Sequence, residues 1–395
     1  MPSTLLERLQ ALPAAEPVLR ALDGERGVWV VGGAVRDLLL GGQPSDLDLV
    51  VEGDALAVAR RAAARLDGDV LVHDRFGTAT VRGAGAVFDL AGARRERYPQ
   101  AGALPEVELG APLLDDLARR DFTVNTLALR LADGELQGVP EARTDLEARR
   151  LRVLHDGSFR DDPTRLLRLA RYESRLGFSV EPRTAALARA AVAGGALATV
   201  SGERLGAELL LLAREPQPAA LAALADRGLG AELLPGFSVD AELAERALAQ
   251  CPPDARADLV ALGSTLRQAA AAELAERLRA LALPTAEAGA LSACAELDAL
   301  VEELRDARAS AADLSLSRRP PEAAVLAAAA GSDAARDWLE RGRHLQLDIG
   351  GDDLLAAGLS GPPVGRALRA ARAALLDGEA PDRETQLAVA LAAPT

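Results

Sequence analysis

The chain has 395 residues, 49% hydrophobic and 3% aromatic, with a formal net charge of −14. Its length exceeds one compact core and predicts about two to four domains, and the acidic balance argues against binding nucleic acid over the whole surface while leaving room for a local basic cleft. Two cysteines (Cys251, Cys294) and three scattered histidines (His73, His155, His344) exclude a disulfide framework and a histidine-based hydrolase centre, so any metal site must rest on carboxylates, which suit Mg²⁺.

Residues 1–25 read as a short helix and a linker. "GVWVV" (27–31) reads as a buried strand, 34–41 as a helix opening after Gly32 and Gly33, and "DLDLVVE" (46–52) as a second strand. A helix is predicted over 54–66, then strands over 69–73, 78–82 and 86–91, each short, apolar and bounded by glycine. Beyond residue 140, Leu, Ala and Arg recur at helical spacing and strand signals nearly vanish. Weak breaks fall at "EPQP" (215–218), "CPPDA" (251–255) and "RRPPEA" (318–323). All 45 basic residues are arginine, as codon bias in a GC-rich genome would give. No long apolar run resembles a membrane span, and "MPSTLLERLQ" lacks a signal-peptide profile, so a cytoplasmic protein with no membrane contact is expected.

Three constellations carry chemistry. In "VVGGAVRDLLLGGQPSDLDLVVEGD" (30–54), Asp46 and Asp48 are two apart, so on a strand they project to one face. Adjacent carboxylates repel unless a cation lies between them or one holds a proton; the plain alternative is a strand-start cap and a solvent-facing edge. Before them, Gly32 and Gly33 permit close backbone approach, the following helix opens with free N–H groups, and Arg36 sits within its first turn, a pattern suited to phosphate. In "DDLARRDFTVNTLAL" (115–129), Arg120 suits phosphate and Asp121 and Asn125 are short polar groups suited to ribose, while surface ion pairs are the plainer reading of the segment taken alone. In "FRDDPTRLLRLARYESRLGF" (159–178), Asp162 and Pro163 start a helix that stops at Gly177. Along it Arg165, Arg168 and Arg171 form a basic stripe on a largely apolar helix, which calls for anionic partners.

These segments together resemble the class II tRNA nucleotidyltransferase and bacterial poly(A) polymerase family. The resemblance covers residues 28–183 strongly, 184–340 weakly, and the C-terminal "DIGGDDLLAAGLSGPPVGRALRAARAALLDGEAPDR" (348–383) moderately. It implies an α+β head of the polymerase-β-like nucleotidyltransferase type over 1–135, followed by an all-α neck (136–200), body (201–315) and RNA-binding tail (316–395). It implies that Asp46 and Asp48 hold the Mg²⁺ ions of a two-metal site, and that Gly33 and Arg36 lie at the triphosphate. Arg120 would contact phosphate, and Asp121 and Asn125 would shape the ribose pocket. Asp162 and Arg165 would read the base edge, and Arg168 and Arg171 would add nucleotide contacts. Asp89 is either a third carboxylate near the metals or a strand-end residue. Arg94 and Glu96 match the family's flexible loop, which spans 87–110 here. The implied activity adds C, A or both to the tRNA 3′ end from CTP or ATP, releasing pyrophosphate, without a nucleic-acid template or a stable protein partner. The alternatives are a poly(A) polymerase and a non-catalytic tRNA- or nucleotide-binding protein.

Overall fold

The computed structural model describes residues 4–13, 15–44, 46–73 and 77–393. The outermost residues of the expected head and tail, 1–3 and 394–395, lie outside the described residues. The chain divides into two compact units, Met1–Ser201 and Gly202–Thr395.

The first unit opens with two short helices, α1 (Leu5–Gln10) and α2 (Glu16–Ala21), where one helix and a linker were expected. Thr4 and Glu7 form a reciprocal capping box at the start of α1. A mixed sheet follows. Its strands are β1 (Val28–Val31), β2 (Leu49–Val51), β3 (Asp69–His73), β4 (Thr78–Gly83) and β5 (Ala86–Gly92), with β8 (Ala128–Arg130) and β9 (Leu136–Gln137) added after a separate ribbon of β6 (Arg94–Arg97) and β7 (Glu106–Leu109). The sheet order is β3-β4-β5-β2-β1-β8-β9, and only β2 and β5 run parallel. All four residues of β1 are buried, as expected for a central strand of β-branched and aromatic residues. Helix α3 (Gly33–Leu39) leaves β1 directly, and α4 (Ala55–Arg65), capped by the Asp54 carboxylate, buries Ala55, Val58, Ala59, Ala62 and Ala63.

Two expectations need correction here. β2 is three residues long, so Asp46 and Asp48 lie in the segment leading into the strand and not within it. The Asp48 carbonyl still accepts from the Val31 amide at 2.9 Å, which ties the segment to the end of β1. The stretch read as a flexible loop forms the end of β5 and an antiparallel ribbon, Arg94 opposite Leu109 through Arg97 opposite Glu106.

Helix α5 (Leu113–Ala118) follows the ribbon, and α6 (Ala142–Glu147) follows β9. Next come α7 (Ser158–Asp161), α8 (Thr164–Leu176) and α9 (Pro182–Ala193). Helix α8 ends on Gly177 at φ 63°, the left-handed cap its sequence requires. Two two-residue strands, β10 (Arg150–Leu151) and β11 (Ser179–Val180), pair in parallel on either side of α8, where no strand was expected.

The second unit is helical throughout its assigned elements, from Gly202–Ala213 to Arg383–Ala392. Its core is built on the helix Pro321–Ala329, in which every residue from Glu322 onward is buried. A Gly-Pro helix start lies in the C-terminal stretch: Gly361 at φ 68° precedes Pro362 and Pro363, which open Pro362–Leu376. One arginine of that helix is committed internally, since Arg372 donates to the Asp313 carboxylate (2.9 and 2.8 Å) and to the Leu345 carbonyl (2.7 Å).

Candidate active site

Gly32 ends β1 with φ 68°, and its amide donates to the Leu127 carbonyl at 2.9 Å. A Cβ there would come within 2.9 Å of Arg120 Nη1, so the glycine serves both the backbone turn and the close approach of Arg120. Beside it lies a cavity of about 290 Å³ lined by Gly32, Gly33, Asp48, Glu96, Tyr98, Arg119, Arg120, Asp121, Asn125, Asp162, Arg165, Arg168 and Tyr172. Eight residues selected from sequence therefore share one cavity: Gly33, Asp48, Arg120, Asp121, Asn125, Asp162, Arg165 and Arg168.

Four selected residues are not in that wall. Arg36, expected at phosphate, is 1% exposed. It donates to Asn125 Oδ1 at 2.6 Å and to Asp37 Oδ1 at 2.9 Å, because α3 turns this side inward onto the Thr123–Asn125 turn. Arg171 is also buried, with its guanidinium 5.5 Å from the Tyr172 ring centre. Asp46 and Asp89 are exposed. Asp89, on β5, accepts from the Thr80 hydroxyl at 2.5 Å, and the register pairing Leu49 with Leu90 sets it beside Asp48.

The electrostatics divide the cavity into two parts. Asp48 keeps access to solvent, yet crowding by protein pushes its carboxyl above the usual aspartate range. Arg120 and Arg168 pull it down, while the charges of Asp46 and Asp89 push it further up. Across the cavity, burial would raise the Asp121 carboxyl, but the Arg168 guanidinium, the Asn125 amide and the Phe122 N–H outweigh it and hold it at about 2. Asp121 accepts from Arg168 Nε at 2.9 Å, Asn125 Nδ2 at 2.9 Å and Phe122 N at 2.8 Å. Asp162 Oδ1 accepts from the Thr164 amide (3.1 Å) and hydroxyl (2.6 Å), so it caps α8. Arg165 is held by the Ser158 hydroxyl and the Arg119 carbonyl, both at 2.7 Å.

Several residues of the site were not selected from sequence. Asp116 is fully buried and accepts from Arg119 Nη2 (2.8 Å), Arg120 Nη2 (3.2 Å) and the Arg94 amide (3.3 Å). Its signal was present, because Arg119 and Arg120 follow it at i+3 and i+4 across the end of α5. Arg119 also donates to Glu96 at 2.7 Å, and Glu96 accepts from the Tyr98 hydroxyl at 3.0 Å, which links the β6–β7 ribbon to the cavity. Burial and the Glu96 charge raise the Tyr98 phenol, keeping it a neutral donor. Arg120 Nε is buried and finds no acceptor among the described residues, a donor left for an anion.

A mixed sheet whose second strand begins just after two carboxylates, joined by a glycine turn to an arginine-walled cavity, defines a nucleotidyltransferase head. Residues 28–152 match the poly A polymerase head domain family. Over those residues the chain is similar to that head-domain family. It is 46% identical over 197 residues to an A-adding tRNA nucleotidyltransferase of Halalkalibacterium halodurans, covering 48% of this chain and 46% of that one. It is 45% identical over 214 residues to a CC-adding tRNA nucleotidyltransferase of Deinococcus radiodurans, covering 53% of this chain and 55% of that one. The chain thus spans about half the length of these curated relatives. The solved structure of the Thermotoga maritima CCA-adding enzyme complexed with tRNA superposes with a TM-score of 0.75 at 29% identity, over 98% of this chain and 97% of that one.

Proposed function

We propose that the protein is a template-independent nucleotidyltransferase that adds C, A or both to the 3′ end of tRNA from CTP or ATP. The single observation that carries this reading is the cavity in which Asp48 faces the paired arginines Arg119 and Arg120, with Asp162, Arg165 and Arg168 completing the wall. Within the two compact units, we assign 1–135 as head, 136–200 as neck, 201–315 as body and 316–395 as tail. The cytoplasm is the compartment we propose; no helix among the described residues is long and apolar enough to cross a membrane.

Asp46 and Asp48 are the candidate ligands of Mg²⁺, with Asp89 as a neighbouring third carboxylate. The donor chemistry fits: hard oxygens close together, with the Asp48 carboxyl pushed upward by burial and further by the charges of the other two, gain most from a bound cation. Among the described residues no group of three or more His, Cys, Asp or Glu side chains is already placed to hold an ion. When bound, Mg²⁺ supplies charge neutralisation at the phosphates and a lowered pKa for the attacking hydroxyl.

The chain's own residues supply the positioning. Arg120, held through Asp116 and carrying an orphan Nε, receives phosphate oxygens as the tRNA 3′-hydroxyl forms its bond to the α-phosphorus. The α–β bridge breaks, pyrophosphate leaves, and the hydroxyl proton passes to solvent. Asp121 and Asn125, locked to each other and to Arg168, present fixed polar groups to the ribose. Asp162 and Arg165 offer an acceptor and a planar donor fork to the base edge. Arg36 and Arg171 act from behind the wall. The test is single-turnover extension of three tRNAs, ending before CCA, after CC and after CCA, each offered CTP, ATP or both. Addition to the first or second supports the reading and sorts CC, A and full CCA addition; long A tails on the third indicate a poly(A) polymerase. Extension of none overturns it.

A further inference from the structure

Tyr172 lies on α8, half-buried, and lines the cavity. Three guanidinium carbons lie close to its ring centroid: Arg36 at 5.4 Å, Arg168 at 5.5 Å and Arg171 at 5.5 Å. Two come from α8 itself and the third from α3. Three cations do not gather by choice, since each repels the other two. The electron-rich ring offsets part of that repulsion at these distances. Phe122 meets Tyr172 edge-on, with centroids 5.8 Å apart and planes at 81°, which fixes the ring against the head.

The hydroxyl has a separate task. Arg168 Nη2 donates to it at 3.2 Å, while Arg168 Nε donates to Asp121 at 2.9 Å. The guanidinium plane is therefore held from two sides. Arg36, against the same ring, holds Asn125 at 2.6 Å, and Asn125 holds Asp121 at 2.9 Å. One aromatic side chain thus touches both arginines that converge on Asp121, one directly and one through Asn125.

We propose that Tyr172 is a positioning residue: its ring holds Arg36, Arg168 and Arg171 in place, and its hydroxyl sets the orientation of Arg168, so that the residue governs nucleotide affinity and selectivity without being a reacting group. The inference rests on the nucleotide-cavity reading given above. Losing the ring releases all three guanidiniums against one another. Losing only the hydroxyl leaves them in place but lets the Arg168 fork turn.

The experiment is equilibrium binding of ATP and of CTP to the full chain and to two variants, Tyr172→Phe and Tyr172→Leu, with thermal midpoints measured alongside. Tyr172→Leu is expected to weaken both nucleotides at least about tenfold, the scale of losing desolvated cation–ring contacts. Tyr172→Phe is expected to keep the wild-type midpoint and to move the ATP-to-CTP affinity ratio by about threefold or more toward unity, as losing a hydrogen bond to a charged group would. A merely structural tyrosine would leave that ratio unmoved. A folded Tyr172→Leu with wild-type affinity, or an unchanged ratio in Tyr172→Phe, overturns the inference while the nucleotide reading stands. Should Tyr172→Leu not fold, the ratio in Tyr172→Phe decides. Wild-type protein that binds neither nucleotide overturns both.

Discussion

Arg36 donates to Asn125 Oδ1 at 2.6 Å, joining the helix after the glycine turn to the Thr123–Asn125 turn. The guanidinium is 1% exposed, so its value lies in what it fixes inside the head. Arg36→Met keeps much of the volume but strands the Asn125 carbonyl and the Asp37 carboxylate. The expected loss is about 3 kcal/mol of unfolding free energy, read by urea denaturation. A double-mutant cycle with Asn125→Ala should show coupling of about 1 kcal/mol or more; additive effects would mean the contact is incidental.

Asp116 holds Arg119 and Arg120 from beneath the cavity. Asp116→Asn removes the charge but keeps the shape. We expect the nucleotide KM to rise about tenfold, with kcat reduced less, because the two guanidiniums lose their common anchor before they lose their place. Steady-state kinetics with varied ATP or CTP reads the split, and an unchanged KM would show that the arginines are held by other contacts.

Gly32→Ala tests the turn. At φ 68° and ψ −127° an alanine carries strain of about 1–3 kcal/mol, and its Cβ would crowd Arg120 Nη1 at 2.9 Å. Because Nη1 is the free end of a flexible side chain, the fold should survive with a modestly lower thermal midpoint. Nucleotide affinity should fall by more than the midpoint suggests. A crystal structure of the variant with Arg120 unmoved would contradict this.

The Asp121 network has a pH signature. Its carboxyl titrates at about 2 in the folded chain, below the ordinary 3.8 for aspartate. The stability it contributes is therefore complete above about pH 4 and disappears as the pH falls through about 2. Asp121→Asn should be less stable than the parent by about 2 kcal/mol near pH 7, and the difference should close toward pH 2. A gap independent of pH would show that the charge of Asp121 is not what Arg168 recognises.

Much of this site was legible before any fold was known, and the reasons are local. The glycine pair, the "RRDFTVN" turn and the Asp162–Pro163 helix start each encode backbone geometry within a few residues, and all appear where expected. Arg36 was misplaced because helical spacing gives the side of a helix but not what covers it. The sequence could not show that Asn125 and Tyr172 close over that side. β10 and β11 escaped notice because two residues carry no periodicity; their pairing is imposed by the ends of α8. Asp46 and Asp48 looked like strand residues because the apolar run after them continues their alternation, yet the ladder assigned to β2 starts at Leu49. Asp116 and Tyr172 were readable in hindsight, at i,i+4 from Arg120 and Arg168 respectively.

The central claim is that Asp48, its carboxyl pushed upward by burial and then by the charges of Asp46 and Asp89, is a metal-dependent catalytic carboxylate beside a nucleotide cavity. Its most direct test compares wild-type protein with Asp48→Ala in single-turnover addition of labelled CTP or ATP to tRNA ending before CCA and after CC, in saturating Mg²⁺, with tRNA binding measured on the same preparations. The account predicts that the wild type extends at least one of these tRNAs, and that Asp48→Ala slows that addition at least about 10³-fold while binding tRNA as before. Addition by Asp48→Ala at the wild-type rate would contradict it.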